Sequence, residues 1–480
     1  MNARSGLGSP ASTIANRSKL LACVLWVGGC SHTPVVKDAN AHDEHEGPAP
    51  HLRSSAEGPS SAAPAAHPSA GDIDPQRAGQ VSLDAILGFA DQHSPVLAIA
   101  RSTRSRADAA RAAASVVLPA NPQLTVAIGP RFVGEDTGLD LEASLLQQIE
   151  IGGERGLRVE AAERLHELTD AEIEQIRWAV HCDVHAMFHR AVIERERLLL
   201  ATRVVGFQEE VLRVVERQIA AGETAPLTLR LAQAEVAQAK QLLVLAQQTF
   251  AVSRIHLAQL AGWPVSTPPD PSGGVDEPRE PPAYEQLIKV AREKLPSLRA
   301  GTAAIREAEA RVKLADREAW LEPSVGAQYN RESSPAGGSV NHVVMGIVSI
   351  PIPGFRANEG ERASARADVT IANAELQAAR SMIESEIAAA RSEVVAAAQR
   401  TSAYGTEILP RFEENLTLLR RSFELGEIDI LALSAGRERF LRIQSDAFGA
   451  HLDYFVALAA LERAVGVDLW QDEHHERAEP

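Results

Sequence analysis

From Val81 onward the chain alternates between two rhythms of apolar and polar residues, and it runs through the same order of rhythms twice. Each copy opens with a helical stretch of moderate length, residues 82–118 and 284–321, that ends at a proline turn, Asn121-Pro122 and Glu322-Pro323. Two short stretches with a period of two follow. Leu139, Leu141, Ala143 and Leu145 alternate with Asp140, Glu142 and Ser144, the signature of a strand with one apolar face. Leu124, Val126 and Ile128 alternate in the same way, more weakly. In the second copy Val325, Ala327 and Tyr329 predict one strand and residues 342–352 its partner. Gly-rich loops over residues 134–138 and 334–338 join each pair into a hairpin.

A very long helical run comes next, residues 154–221 and 357–425, broken in both copies by glycine and glutamate, Gly222-Glu223 and Gly426-Glu427. A shorter helix closes each copy, ending in Leu260-Ala261-Gly262 and Ala464-Val465-Gly466. Both glycine landmarks recur at an offset of 204 residues, so a duplicated unit is the simplest description. At about 1.5 Å per residue the long runs reach roughly 100 Å, beyond an ordinary domain diameter, and two shorter helices stacked end to end match one long one. Alanine-rich stretches such as residues 109–114 and 388–390 permit close helix approach. The fold class expected is mainly α with a small β part, a duplicated helix–strand–strand–helix unit. Its domains are a first repeat at 80–263, a Pro-rich linker at 264–282, a second repeat at 283–468 and a polar tail at 469–480.

Four strands are too few to close a barrel, and a bilayer admits only helices and closed barrels. Strands from several copies would have to be pooled, and three copies supply twelve, an even number within the range of outer-membrane barrels. A small β-layer on a purely helical body is the alternative that periodicity leaves open.

Local motifs then carry a family resemblance. Gln147-Gln148-Ile149-Glu150-Ile151-Gly152-Gly153-Glu154-Arg155 resembles the strand-to-helix junction of TolC-type outer-membrane efflux factors, in their heavy-metal, CzcC/CusC-like branch. Ser349-Ile350-Pro351-Ile352-Pro353-Gly354-Phe355 with Asn358-Glu359-Gly360 is similar to the matching junction of the second repeat. Gly426-Glu427-Ile428-Asp429-Ile430-Leu431 is similar to the family's periplasmic helix-tip turn, with Gly222, Glu223, Leu227 and Leu229 as its counterpart and Pro226 as a departure. The resemblance covers residues 80–468. It implies a homotrimer with a shared 12-stranded β-barrel and a long α-helical tunnel. It also implies docking on a periplasmic adaptor, or membrane fusion protein, and an inner-membrane RND-type pump. The function expected is an outer-membrane channel that passively conducts heavy-metal cations out of the periplasm, with no cofactor. A multidrug or type I secretion exit duct of the same fold, or a non-channel periplasmic metal-binding lipoprotein, are the competing readings.

Composition changes the picture mainly at the N-terminus. Across 480 residues the 48 basic and 64 acidic side chains give a net charge of −16, against nucleic-acid binding. No apolar run approaches the roughly 20 residues of a transmembrane helix. Arg4, Arg17 and Lys19, followed by an apolar stretch at residues 20–27, predict a signal peptide over 1–29. Val27-Gly28-Gly29-Cys30 resembles a bacterial lipobox, which implies a lipoprotein with Cys30 acylated. Leu20-Leu21-Ala22-Cys23 is a rival that leaves almost no apolar run after Lys19. A plain secretory signal is the alternative. Outer-membrane sorting is expected because Ser31, not aspartate, follows the cysteine. Residues 30–79 read as a flexible tether rich in Pro, Ala, Ser, Gly and His. Three cysteines exclude a disulfide framework. The 4% aromatic content is low for a barrel, whose interfacial belts are aromatic, with Phe132 and Tyr329 almost alone.

Candidate chemistry is sparse, with no nucleophile–base pair, phosphate loop or complete metal triad, so no enzyme activity is expected. Glu223, Glu427 and Asp429 flank the Gly222 and Gly426 turns, where threefold symmetry would make acidic rings that gather cations. Simple capping of the following helix is the competing role. His181, His185 and His189 recur every four residues along one helix face with Cys182 beside them, a donor set suited to a transition metal. Val180, Val184, Met187, Phe188 and Ala191 lie on another face, so the histidines are expected to look toward solvent or lumen.

Overall fold

A computed structural model describes residues 79–118, 120–320, 322–333, 339–352 and 358–470. The predicted leader, Cys30, most of the tether, Pro353-Gly354-Phe355 of the second junction and most of the polar tail lie outside the described residues. The first repeat comprises β1 (Gln80–Val81), α1 (Leu83–His93), α2 (Pro95–Ser102), α3 (Arg104–Ala114), β2 (Gln123–Val133), β3 (Asp136–Gln148), α4 (Glu154–Ala220) and α5 (Pro226–Ala261). After β4 (Asp270–Pro271), the second comprises α6 (Tyr284–Lys294), α7 (Pro296–Arg317), β5 (Ser324–Glu332) and β6 (Asn341–Ser349). It continues with α8 (Glu359–Ala403), a π-helical turn (Tyr404–Ile408), α9 (Leu409–Glu424) and α10 (Ile430–Val465). The duplication is therefore real, and both closing helices have 36 residues.

Several boundaries differ from the sequence reading. The opening stretches are broken at Ser94-Pro95 and Leu295-Pro296, because the residue before a proline is driven out of the α region: Ser94 has ψ 126° and Leu295 ψ 120°. The first repeat breaks once more, at Thr103. The second long run is interrupted near Pro410, which has no N–H and whose ring crowds the carbonyl four residues back. The backbone widens instead, and Leu409 N–H donates to the Tyr404 carbonyl, five residues earlier. The expected loop over residues 134–138 shrinks to Gly134-Glu135 between β2 and β3. Strand β6 stops at Ser349 rather than 352, since Pro351 has no N–H to give a ladder.

Each repeat has its own core. Ile86, Leu97, Val184, Val192, Leu257 and Trp263 fill the first, where α1, α2 and α5 lie on α4. Leu287, Leu298, Ile387, Val394, Tyr454 and Leu461 fill the second, where α6, α7, α8 and α10 meet, joined by Ile193 from α4. A third cluster of Val211, Val215, Phe423, Ile430 and Leu433 ties the α4–α5 turn to the α9–α10 turn. No described helix is long and apolar enough to cross a membrane.

Candidate functional site

The sheet is the first site. Its order is β2-β3-β5-β6, antiparallel throughout, so β2 and β6 each keep one unpaired edge. The register collects Leu124, Val126, Ile128, Phe132, Leu139, Leu141, Leu145, Val325, Tyr329, Val344 and Val348 on one face. Of these, Leu124, Ile128, Phe132 and Val344 are each at least 65% exposed. The opposite face carries the charged pairs of β2, β3 and β5, beside Leu146 and the β6 residues Val343, Met345 and Ile347. Arg131 Nε donates to Asp140 Oδ2 (2.6 Å) and its guanidinium reaches Glu332 (3.4 Å), while Gln328 Nε2 donates to Glu142 Oε1 (2.6 Å). A large apolar face open to the surroundings, backed by an ion-paired face, is the arrangement of a barrel wall with lipid outside and water inside. Sequence reading missed one aromatic that belongs to this picture. Trp320, 68% exposed beneath the start of β5 and under the Arg317 guanidinium, sits at the strand end opposite Phe132, where interfacial aromatics are expected.

The strand-to-helix junction explains the Gly-Gly-Glu motif. Gly153 takes a left-handed conformation (φ 83°) ahead of α4, and the buried Glu154 carboxylate pairs with Arg317 (2.7 Å) and accepts from Gly152 N–H (3.0 Å). Arg317 Nε in turn donates to the Gly152 carbonyl (2.9 Å). This clasp fixes the angle at which the long helix leaves the sheet.

The helix turns are the second site. Gly222 (φ 74°) and Gly426 (φ 75°) end their helices in the same Schellman geometry. Glu223 N–H donates to the Gln218 carbonyl and Glu427 N–H to the Ser422 carbonyl, both at 2.8 Å. Beyond the glycines the turns differ. Asp429 caps α10 through Ala432 N–H (2.8 Å), whereas α5 starts from Ala225 with Pro226 in its first turn and no side-chain cap. Capping therefore accounts for Asp429, while the exposed side chains of Glu223 and Glu427 cap nothing here. An element absent from the sequence reading is the ion pair of the largely buried Arg437 with Glu235, which crosses between α10 and α5; Glu235 also accepts from Gln208 (3.3 Å).

The histidines form the third site, and here the expected orientation is wrong. His181, His185 and His189 do not look toward solvent; they face α10 of the second repeat, while Val180, Val184 and Phe188 fill the first core on another side of α4. One helix is covered on two sides because the repeats pack on each other as well as internally, which periodicity within one helix does not reveal. His189 is 6% exposed and stacks flat on Phe455 at 3.8 Å. His185 Nδ1 lies 2.9 Å from Glu462 Oε2, and His181 Nε2 lies 2.8 Å from Asp468 Oδ1. Cys182 is wholly buried on the side of a different cavity, between α4, α8 and α10. Burial, with the negative charge of Glu462 adding to it, pushes its thiol pKa up and keeps it protonated. Burial works against an imidazolium at His185, yet the Glu462 hydrogen bond and charge, with Asp468 and Asp276 behind them, outweigh it and raise the His185 pKa. The histidine side of α4 borders a cavity of about 470 Å³ shared with Asp276, Glu277 and Trp470.

An open four-stranded wall carried on long paired helices defines a class of membrane channel subunit, and sequence comparison agrees. The family model described as outer membrane efflux protein matches residues 87–263 and 287–467, one match per repeat. The chain belongs to that family, which is a family of outer-membrane channels. Among curated relatives, the cobalt-zinc-cadmium resistance protein CzcC of Cupriavidus metallidurans is 26% identical over 398 residues, covering 82% of this chain and 91% of CzcC. Among solved structures, the CmeC outer membrane channel of Campylobacter jejuni matches with a TM-score of 0.65 at 13% identity, over 82% of this chain and 88% of that one. CusC matches with a TM-score of 0.63 at 15% identity, over 83% and 96%. The outer membrane protein VceC of Vibrio cholerae matches at 0.60 and 17%, over 81% and 96%. The fold is thus that of TolC-type channels, in which strands form the barrel and long helices the tunnel.

Proposed function

We propose that this chain is the outer-membrane component of a tripartite efflux system and that its cargo is heavy-metal cations. The observation that carries the channel reading is the sheet, with one apolar face exposed, the other face ion-paired, and two free edges of opposite strand direction. Joining β6 of one copy to β2 of the next continues the antiparallel order, and three copies close twelve strands. The metal cargo rests on the similarity to CzcC, a cobalt-zinc-cadmium resistance protein. A periplasmic adaptor and an inner-membrane RND-type pump engage the end formed by the Gly222 and Gly426 turns, where Glu223, Glu427 and Asp429 ring the aperture of a homotrimer. Acylated Cys30 anchors the chain to the outer membrane, and the helices extend into the periplasm. Conduction is passive, and the chain performs no catalysis.

Two measurements test this. Protein extracted from outer membranes is expected to run as a heat-resistant trimer and to open ion-conducting channels in planar bilayers; monomers without conductance would remove the channel reading. A deletion strain is expected to lose tolerance to divalent metals rather than organic drugs, and the reverse pattern would reassign the cargo.

A further inference from the structure

The long helix of the first repeat and the last turns of the second meet at a group of side chains that the channel reading does not use. The geometry points to a divalent-cation site at this α4–α10 junction, with His185, Glu462 and Asp468 as ligands and His181 as the residue that orients Asp468. One donor atom from each of the three ligands lies within 4.8 Å of the other two. With bonds of about 2.1 Å to nitrogen or oxygen, two ligand atoms of a tetrahedral ion lie about 3.4 Å apart, so the widest pair closes by at most about 1.4 Å, within reach of side-chain rotation. Three protein ligands leave a further coordination position, and the adjoining cavity of about 470 Å³ gives water access to it.

Three features favour an ion over a plain ion pair. Glu462 is 1% exposed, and Asp468 sits across from it on the segment that follows α10, so both carboxylates converge on His185, with His181 as a second imidazole on Asp468. Asp276 and Glu277 line the same cavity and add negative charge, with the Arg279 cation nearby. Four carboxylates against Arg279 and the two imidazoles leave negative charge that a divalent ion balances. Hydrogen bonds that hold the ligands in place are also present, because His181 Nε2 holds Asp468 Oδ1 at 2.8 Å and Leu469 N–H donates to Glu462 Oε1 at 3.1 Å.

The donor set selects the ion. One imidazole nitrogen with two carboxylates suits borderline cations such as zinc, cobalt or nickel, whereas soft monovalent copper takes thiolate or thioether ligands. The one nearby thiol, Cys182, lies on a different cavity. Among the described residues the site occurs once per chain. Shifted by the 204-residue repeat, the ligand positions fall on Ala389, Ala258 and Pro264, none of which binds metal through a side chain. A bound ion would join α4 to the end of α10 and to the segment after Gly466, tying the two repeats together. This holds whatever the channel carries.

The test uses the full-length chain in detergent, stripped with chelator and titrated with Co²⁺, whose visible absorption reports nitrogen and oxygen ligation. One Co²⁺ per chain is expected to give the band, and Zn²⁺ is expected to displace it. Asp468→Asn and His185→Gln are each expected to weaken this binding at least about 10-fold, and His181→Ala by a similar factor. A variant with His42, His45 and His51, further potential nitrogen donors in the residue 30–79 segment, all changed to alanine is expected to keep the band. An identical titration of wild type and Asp468→Asn would overturn the site, as would loss of the band in the His42/His45/His51 variant. Asp468→Asn preserves shape on the segment after α10, so it decides the matter even where His185→Gln fails to fold.

Discussion

The first and second repeats share a backbone plan and differ in how they fill it. Both long helices end at a left-handed glycine with the same hydrogen bonds, at Gly222 and Gly426. Both closing helices end at a glycine pressed against the break in the opening helices: Gly262 beside the His93 carbonyl, Gly466 beside the Leu295 Cα. The differences are local. Helix α4 runs unbroken for 67 residues, whereas α8 gives way to a π-turn ahead of Pro410. The buried position taken by Ala258 in the first repeat carries Glu462 in the second. Duplication has thus kept the residues that dictate chain direction and released the side chains at the junction between copies, so specialised chemistry is to be sought where the copies disagree.

The largest test is at that disagreement. Replacing Glu462 with alanine makes the second repeat resemble the first at this position, but leaves His185 and Leu469 N–H without their buried acceptor. Breaking a buried charged pair costs about 3–5 kcal/mol, so the unfolding midpoint in denaturant is expected to fall further than for any other variant considered below. A near-neutral outcome would mean that Glu462 is as dispensable as its alanine counterpart and that the copies differ there by drift.

The next test concerns what the copies share. A Cβ at Gly262 would lie 2.0 Å from the His93 carbonyl oxygen, and at Gly466 2.7 Å from the Leu295 Cα, both at positive φ. Alanine at either is expected to cost about 3 kcal/mol, combining left-handed strain with overpacking. At Gly222 and Gly426 nothing lies within 4 Å, so only the conformational penalty of about 1–2 kcal/mol remains. Equal losses within each pair, larger at the helix ends than at the turns, would confirm that both repeats place strain alike. Unequal losses within a pair would break the equivalence.

Legibility in the sequence followed the same division. Glycine landmarks, strand alternation and helix lengths depend on local chain geometry, and Gly222, Gly426, Gly262, Gly466 and the bounds of α4 were all readable. Pro95 and Pro296 carried a signal that was passed over, because the residue before each was bound to leave the helix. The orientation of His181, His185 and His189 was not readable, since it depends on α10 arriving from nearly 280 residues away. Glu462, Asp468 and Trp320 were missed for the same reason: nothing in their neighbours along the chain distinguishes them.

Asp429 offers a smaller test at the turns. It caps α10 through Ala432 N–H, while α5 manages with Ala225 and Pro226. Asp429→Ala is expected to cost about 1 kcal/mol, read from the denaturation midpoint, because a single helix cap is lost. Asp429→Asn keeps the cap and removes the charge. Paired conductance measurements on the two therefore separate capping from cation attraction. A change in cation selectivity common to both variants, with stability lost only in the alanine one, would assign Asp429 both roles; unchanged currents in both would leave it a cap alone.

The smallest effect is dynamic and lies in the long helices. Around residues 404–408 the hydrogen bonds span five residues and the ring of Pro410 supplies no amide, whereas the matching residues 200–204 of α4 keep the ordinary ladder. No side chain is buried within residues 404–408 or within 200–204, so the difference between them lies in the backbone ladder. Local openings draw on the least stable segments, and amides at 404–409 are expected to exchange with solvent faster than those at 200–204. Pro410→Ala restores a donor where the α-ladder needs one, and exchange across the segment is then expected to slow toward the α4 rate. If it does not, the proline is not what weakens the ladder.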